Sequence, residues 1–352
     1  MKKTLVFALA LFALLTYAQE KSPNIILLIG DGMGLTQISS GMYANNNQTV
    51  LEEFPYIGLS KTYAADQLVT DSAASGTAMA AGVKTFNGVI GIDEKNVAKK
   101  SILEYCSELG YKTALLATSS IVHATPASFY AKIHSRREYE AIALQLSEHN
   151  VDLFVGGGKK FFADRKDKRN LITEMDNYTF VKSIQEFKKS DSKKIGYLTY
   201  DGEPPSLIEG RKPALNELTE ISLEKMNATE KPFFMMVEGS QIDWGGHANE
   251  MDYVLTEFVE FDKTIKAVLE FAKADGNTLV IVTADHETGG LTLDGGNISK
   301  GKVRGSFSTE GHSAAMVPVF SYGPGSEMFS GIYENTGILD KMLKGDQAEE
   351  LL

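Results

Sequence analysis

Asp31, Glu238, Asp243, His247, Asp285, His286 and His312 are the residues of this sequence best suited to hold metal ions. Asp31 lies in Gly30-Asp31-Gly32-Met33-Gly34, directly after the apolar run 25–29. Glu238 closes the apolar run 233–237, and Asp243 and His247 follow it at short spacing. Asp285-His286 comes just after the run 279–282, and Gly311-His312 just before the run 317–320. Imidazole nitrogens mixed with carboxylate oxygens suit Zn²⁺, with a harder, oxygen-rich site for Mg²⁺ beside it. Taken singly, each feature has a plain structural explanation. Asp31-Gly32 is a turn, His247 a histidine flanking a helix, His286 a polar cap on a strand. Their repeated placement at the ends of apolar runs is what points to one shared centre. The glycines at 30, 32 and 34 have the spacing G-x-G-x-G, which is not a dinucleotide fingerprint.

Ser72 is the candidate nucleophile. In Thr70-Asp71-Ser72-Ala73-Ala74-Ser75-Gly76-Thr77-Ala78, Asp71 is a good N-cap, and residues 72–81 form a small-residue helix closed by Gly82. Ser72 then sits at a helix N-terminus, where free N–H groups and the helix dipole favour an anion. A serine needs a base or a metal to become nucleophilic. The chain has no serine-centred G-x-S-x-G elbow, so metal activation is the better route. Farther on, Thr125-Pro126 reads as a helix start with Thr125 as the cap. Arg136 and Arg137 follow, and one arginine beside an anion site would clamp two phosphate oxygens.

The elements that must position these residues are short, almost wholly apolar runs at 25–29, 113–117, 151–155, 233–237, 279–282 and 317–320. Rich in β-branched residues and separated by helix-length segments, they predict buried strands of a mainly parallel sheet. The clearest helix follows Asn249, with an apolar stripe from Met251 to Ala272 and a stop at Asp275-Gly276. The prediction is an α/β three-layer sandwich, a central mainly parallel sheet flanked by helices. Ligands in such sheets bind outside the carboxyl ends of the strands, where the acids and histidines fall. Residues 159–230 are crowded with charge and are expected to form a surface insertion, mostly helices and loops, within a single catalytic domain spanning 19–352. The tail after Lys341 is expected to be peripheral.

Composition narrows the class further. The chain has 352 residues and a formal charge of −11, which supplies no basic stripe for nucleic acid. Residues 1–18, with Lys2 and Lys3 before an apolar stretch, read as a signal peptide, so the expected location is periplasmic or extracellular. No later stretch reads as a membrane span. Cys106, the single cysteine, is expected in the core beside Ile102, Leu103 and Leu109.

As an ordered set, these motifs resemble the alkaline phosphatase family. They are N-x5-G-D-G-M-G at 24–34, T-D-S-A-A-S-G-T-A at 70–78, H-A-T-P-A at 123–127, S-R-R at 135–137, V-E-G-S-Q-I-D-W-G-G-H at 237–247, T-A-D-H-E-T-G-G at 283–290 and G-H at 311–312. The resemblance implies zinc-dependent hydrolysis of phosphate monoesters, of broad specificity, through a covalent phosphoserine on Ser72. It implies two Zn²⁺ and one Mg²⁺. Asp243, His247 and His312 would hold the first zinc, Asp31, Asp285 and His286 with Ser72 the second, and Asp31, Thr125 and Glu238 the magnesium. Arg136, rather than Arg137, matches the phosphate-clamping arginine.

His123 stands where some bacterial members have an aspartate, which makes the third site less magnesium-selective. Trp244 stands where they have a lysine, which removes a cation near phosphate. The chain is short for the family, and a homodimer is left as an open expectation. Two rival expectations are a phosphodiesterase or sulfatase-like hydrolase of the same superfamily, and an exported protein that binds phosphate and metal without turnover.

Overall fold

The computed structural model describes residues 22–344, so the signal expected at 1–18 lies outside the described residues. At its centre is a ten-stranded sheet. From one edge the order is Gly331–Glu334, Tyr56–Lys61, Val317–Tyr322, Thr278–Thr283, Asn24–Gly30, Phe233–Gly239, Lys112–Ser120, Leu153–Gly157, Ile195–Leu198 and Thr179–Phe180. Five of the six expected apolar runs lie wholly within it, and the run 151–155 enters it at Leu153. Neighbouring strands pair in parallel, except that Val317–Tyr322 runs antiparallel to both of its neighbours.

Alternation along the central strand splits the core in two. Ile25, Leu27 and Ile29 face one apolar cluster, Ile26 and Leu28 the other. On the first face pack the helices Ser72–Ala81, Ile102–Glu108, Tyr139–Glu148 and Gly337–Lys344. On the second pack Leu35–Ala44, Leu215–Asn227 and Met251–Asp275. This is the three-layer sandwich expected. Burial on both faces also explains why the central strands are almost unbroken runs of apolar residues.

The antiparallel strand matters for the site. Phe320 is opposite Val282 and Tyr322 opposite Val280, so the start of this strand lies at the carboxyl end of Thr278–Thr283. His312 thereby reaches the same sheet end as Asp31, Glu238 and Asp285. Just outside the sheet, His312-Ser313 pairs antiparallel with Glu287-Thr288.

Three local expectations need correction. Residues 159–230 are not a surface excursion: Ile195–Leu198 and Thr179–Phe180 extend the main sheet, and Leu215, Leu218, Ile221 and Met226 are buried in the second core. The same segment brings Arg211 to Glu257 and Glu260, an ion cluster sealed against the long helix. Of the tail expected to be peripheral after Lys341, Met342 and Leu343 are instead buried in the first core, and residues 345–352 lie outside the described residues. Cys106 is buried as expected, but Leu109 falls just past its helix and is exposed.

Candidate active site

Ser72 begins the helix Ser72–Ala81, every residue of which is buried. Asp71 caps it through Oδ1, which accepts from the Ala74 N–H at 2.9 Å, and Gly82 ends it in the left-handed region at φ 69°. The small residues let the helix lie close to its surroundings. A Cβ on Gly76 would come within 2.7 Å of Ser128 Oγ. Ser75 Oγ donates to the Asp285 carbonyl at 2.7 Å, which ties the helix to the end of a central strand. Ser72 Oγ then stands 3.4 Å from His286 Nε2.

Three groups of ligand atoms lie at this sheet end, each with its atoms within 4.8 Å of one another: Asp243, His286 and His312; Asp31, Asp285 and His286; and Asp31, His123 and Glu238. His247 adjoins the first, with Nε2 at 3.1 Å from His312 Nε2 and 3.3 Å from Asp243 Oδ2. His312 Nδ1 is 2.7 Å from the Thr70 carbonyl, and His247 Nδ1 is hydrogen-bonded to the Glu310 carbonyl. Carbonyls only accept, so both rings carry hydrogen on Nδ1 and turn Nε2 toward each other. Two imidazole lone pairs so close call for a proton or a metal ion between them.

Thr125 does not cap a helix. His123, not Thr125, occupies the cap position of the helix Ala124–Ala127, and the Thr125 hydroxyl is 3.4 Å from Asp31 Oδ2. A threonine before proline marks a helix start only to within one or two residues, and here the turn begins two positions earlier. Arg136 lies in the site, with Nη1 2.9 Å from Asp71 Oδ2 and Nη2 3.5 Å from His123 Nε2, whereas Arg137 is exposed. Trp244 lies edge-on to His123 with ring centroids 6.0 Å apart.

Without metal, the electrostatics of this cluster are unfavourable. Burial, followed by the charges of Asp285, Asp243 and Glu238, pushes the Asp31 carboxyl far above its ordinary range. Burial raises Glu238 to about 7. At Asp243 burial acts upward too, but His247, His286 and His312 outweigh it and hold the carboxyl low. The hydrogen bond to Asp243 raises His247 to about 9. Burial, assisted by Arg136, lowers His123 to about 3 and keeps it neutral.

Three buried carboxylate oxygens, Asp31 Oδ1, Glu238 Oε1 and Asp285 Oδ2, have no hydrogen-bond partner. Orphaned charged oxygens at the centre of a mixed nitrogen and oxygen donor set are what bound cations would satisfy. The residues fit metal ions.

The profile of the alkaline phosphatase family matches residues 22–304. The chain belongs to the alkaline phosphatase family. It is 34% identical to alkaline phosphatase 3 of Bacillus subtilis, across 94% of this chain and 90% of that one. It is 28% identical to the alkaline phosphatase of Escherichia coli K12, across 92% and 86%. Among solved structures, the alkaline phosphatase of the Antarctic bacterium TAB5 superposes with a TM-score of 0.88 at 43% identity, covering 94% of this chain and 99% of that one. A histidine-to-aspartate variant of that enzyme holds magnesium in its M3 site, and it superposes with a TM-score of 0.87. Membership makes this chain a metal-dependent phosphomonoesterase. Among the described residues no helix is long and apolar enough to cross a membrane.

Some residues that shape the site were not evident beforehand. Ser240 and Ser119 both donate to Glu238 Oε2, at 2.7 and 3.3 Å. Asp71 does more than cap a helix, and Thr288 touches two ligands at once. Only Asp71 carried a signal, an acid directly beside the candidate nucleophile.

Proposed function

We propose that the chain hydrolyses phosphate monoesters of broad specificity by way of a phosphoserine on Ser72, with two zinc ions and one magnesium ion. The observation that carries this reading is the approach of Ser72 Oγ to His286 Nε2, at 3.4 Å, on the rim of three ligand groups. Asp243, His247 and His312 would hold the first zinc, and Asp31, Asp285, His286 and the Ser72 oxygen the second. Asp31, Glu238 and Thr125 would hold the third ion, with His123 beside them.

The ions, when bound, supply Lewis-acid stabilisation of negative oxygen and favour ionisation of a hydroxyl. The chain's own groups do the rest. Asp71 fixes Arg136 so that the guanidinium faces the helix N-terminus, where a phosphoryl group meets backbone N–H donors. Attack by Ser72 Oγ on phosphorus forms the P–Oγ bond as the ester P–O bond breaks and the alcohol leaves. Water then attacks the phosphoserine from the vacated side, which returns Ser72 and releases inorganic phosphate. His123 stays neutral and adds no second cation beside Arg136.

Export to the periplasm or the medium and assembly as a homodimer complete the proposal. The former rests on the leader-like residues 1–18, the latter on family membership. The test compares the native protein with Ser72→Ala on an aryl phosphate monoester and its diester. The expected result is rapid monoester hydrolysis by the native protein, little on the diester, and near-complete loss in the variant with zinc retained. Normal monoester turnover by Ser72→Ala would refute the serine assignment.

A further inference from the structure

Glu287-Thr288 is a strand of two residues, yet it is held from every side. The Thr288 N–H donates to the Gly32 carbonyl at 3.2 Å, and the Thr288 carbonyl accepts from Gln37 Nε2 at 2.7 Å. Across the ladder it faces His312. The side chain is wedged between two glycines: a Cβ on Gly32 would come within 2.7 Å of Thr288 Oγ1, and one on Gly246 within 2.9 Å of its methyl. Thr288 is fully buried, and two of its backbone contacts, to Gly32 and Gln37, come from residues that are not metal ligands.

The hydroxyl so placed touches one ligand of each zinc group. Oγ1 is hydrogen-bonded to Asp243 Oδ1 and lies 3.2 Å from His286 Nδ1. A hydroxyl has one proton, and an ionised carboxylate can only accept, so the proton goes to Asp243 and the oxygen lone pair takes the N–H of His286 Nδ1. Two consequences follow. The Asp243 carboxylate is fixed in rotation, with Oδ2 left facing His247 Nε2. The His286 ring carries its hydrogen on Nδ1, so the free lone pair is on Nε2, the atom nearest Ser72 Oγ and 3.0 Å from Asp285 Oδ2.

We infer that Thr288 is a positioning residue shared by the two zinc sites, one hydroxyl setting the orientation of Asp243 in the first and of His286 in the second. The inference rests on the ligand assignment proposed above. Groups hydrogen-bonded to metal ligands are worth about 10–100-fold in metal affinity when removed singly. Because this one serves both sites, its loss weakens both ions together. A threonine that only fills space would act through its methyl and would leave the metals alone.

The test uses the full-length, metal-loaded protein and reads zinc affinity by chelator competition, with the ¹¹³Cd resonances of the cadmium-substituted protein as an independent signal. Thr288→Val keeps the shape and loses the hydroxyl, while Thr288→Ser keeps the hydroxyl and loses the methyl. The expected result is that Val weakens both zinc ions about 10–100-fold and moves both cadmium resonances, while Ser stays within about threefold of native.

If Val does not fold, Thr288→Ala is set against Ser, since these two differ by the hydroxyl alone. Equal affinity in the hydroxyl-free variant and the native protein, weakening of one ion only, or Ser as weak as its hydroxyl-free counterpart would each overturn the inference. Absence of zinc from the native protein would overturn the ligand assignment and this inference with it.

Discussion

Arg136 Nη1 lies 2.9 Å from Asp71 Oδ2, and the other oxygen of Asp71 caps the helix that Ser72 begins. One carboxylate therefore orients the cation and the nucleophile's helix together. Arg136→Ala is expected to keep the fold, because the cap to Ala74 remains, and to lose kcat/KM for an aryl phosphate. A hydrogen bond to a charged group is worth about 1.5–3 kcal/mol, so the loss should be about 10–150-fold. Arg137→Ala, at an exposed position, should stay within about twofold. Steady-state kinetics on both variants checks the assignment of the clamp.

Trp244 meets the His123 ring in a T-shaped contact and carries no charge. Trp244→Lys should add a cation within reach of bound phosphate and lower the inhibition constant of inorganic phosphate. Competitive inhibition by phosphate measures it, and an unchanged constant would show that position 244 does not face the product.

His123 Nδ1 is buried without a hydrogen-bond partner, and its ring stays neutral. Replacement by aspartate exchanges a nitrogen for oxygens, which magnesium prefers. His123→Asp should bind magnesium at the third site about tenfold tighter, read by magnesium titration of the zinc-loaded protein.

Metal binding should stabilise the protein more as pH rises. Without metal, Glu238 is raised to about 7 by burial, so its proton is bound more tightly in the folded state than in the unfolded one. Stability of the metal-free protein is then lost between the ordinary carboxylate range and pH 7. His247, raised to about 9 by Asp243, contributes stability below its ordinary pKa and loses it as pH climbs to 9. Both effects run the same way, and metal ions replace both protons. The Tm increment between chelated and metal-loaded protein should therefore grow from pH 5 to pH 8. A constant or shrinking increment would contradict the ligand roles of Glu238 and His247.

Much of the site could be read from the chain because its determinants are local. Asp71 and Gly82 bracket the Ser72 helix within a few residues, and Asp31, Glu238 and Asp285 each end an apolar strand of the same sheet. What escaped is what depends on distant partners. The hydroxyl of Thr288 reaches Asp243 across 45 residues, and Arg211 reaches Glu257 across 46. No local pattern encodes either contact. The strand Ile195–Leu198 was hidden by the charges around it, since a short strand near a sheet edge needs few apolar residues. Thr125 faces an acid rather than capping its helix, because the same residue type can do either and only the packing decides.

The most direct measurement is to quench the protein in acid during turnover of a phosphate monoester and map phosphate on its peptides by mass spectrometry. The account predicts one phosphoryl group on the peptide holding Ser72, absent from Ser72→Ala. A quenched, active protein with no phosphate on that peptide, or with phosphate on another residue, would contradict it.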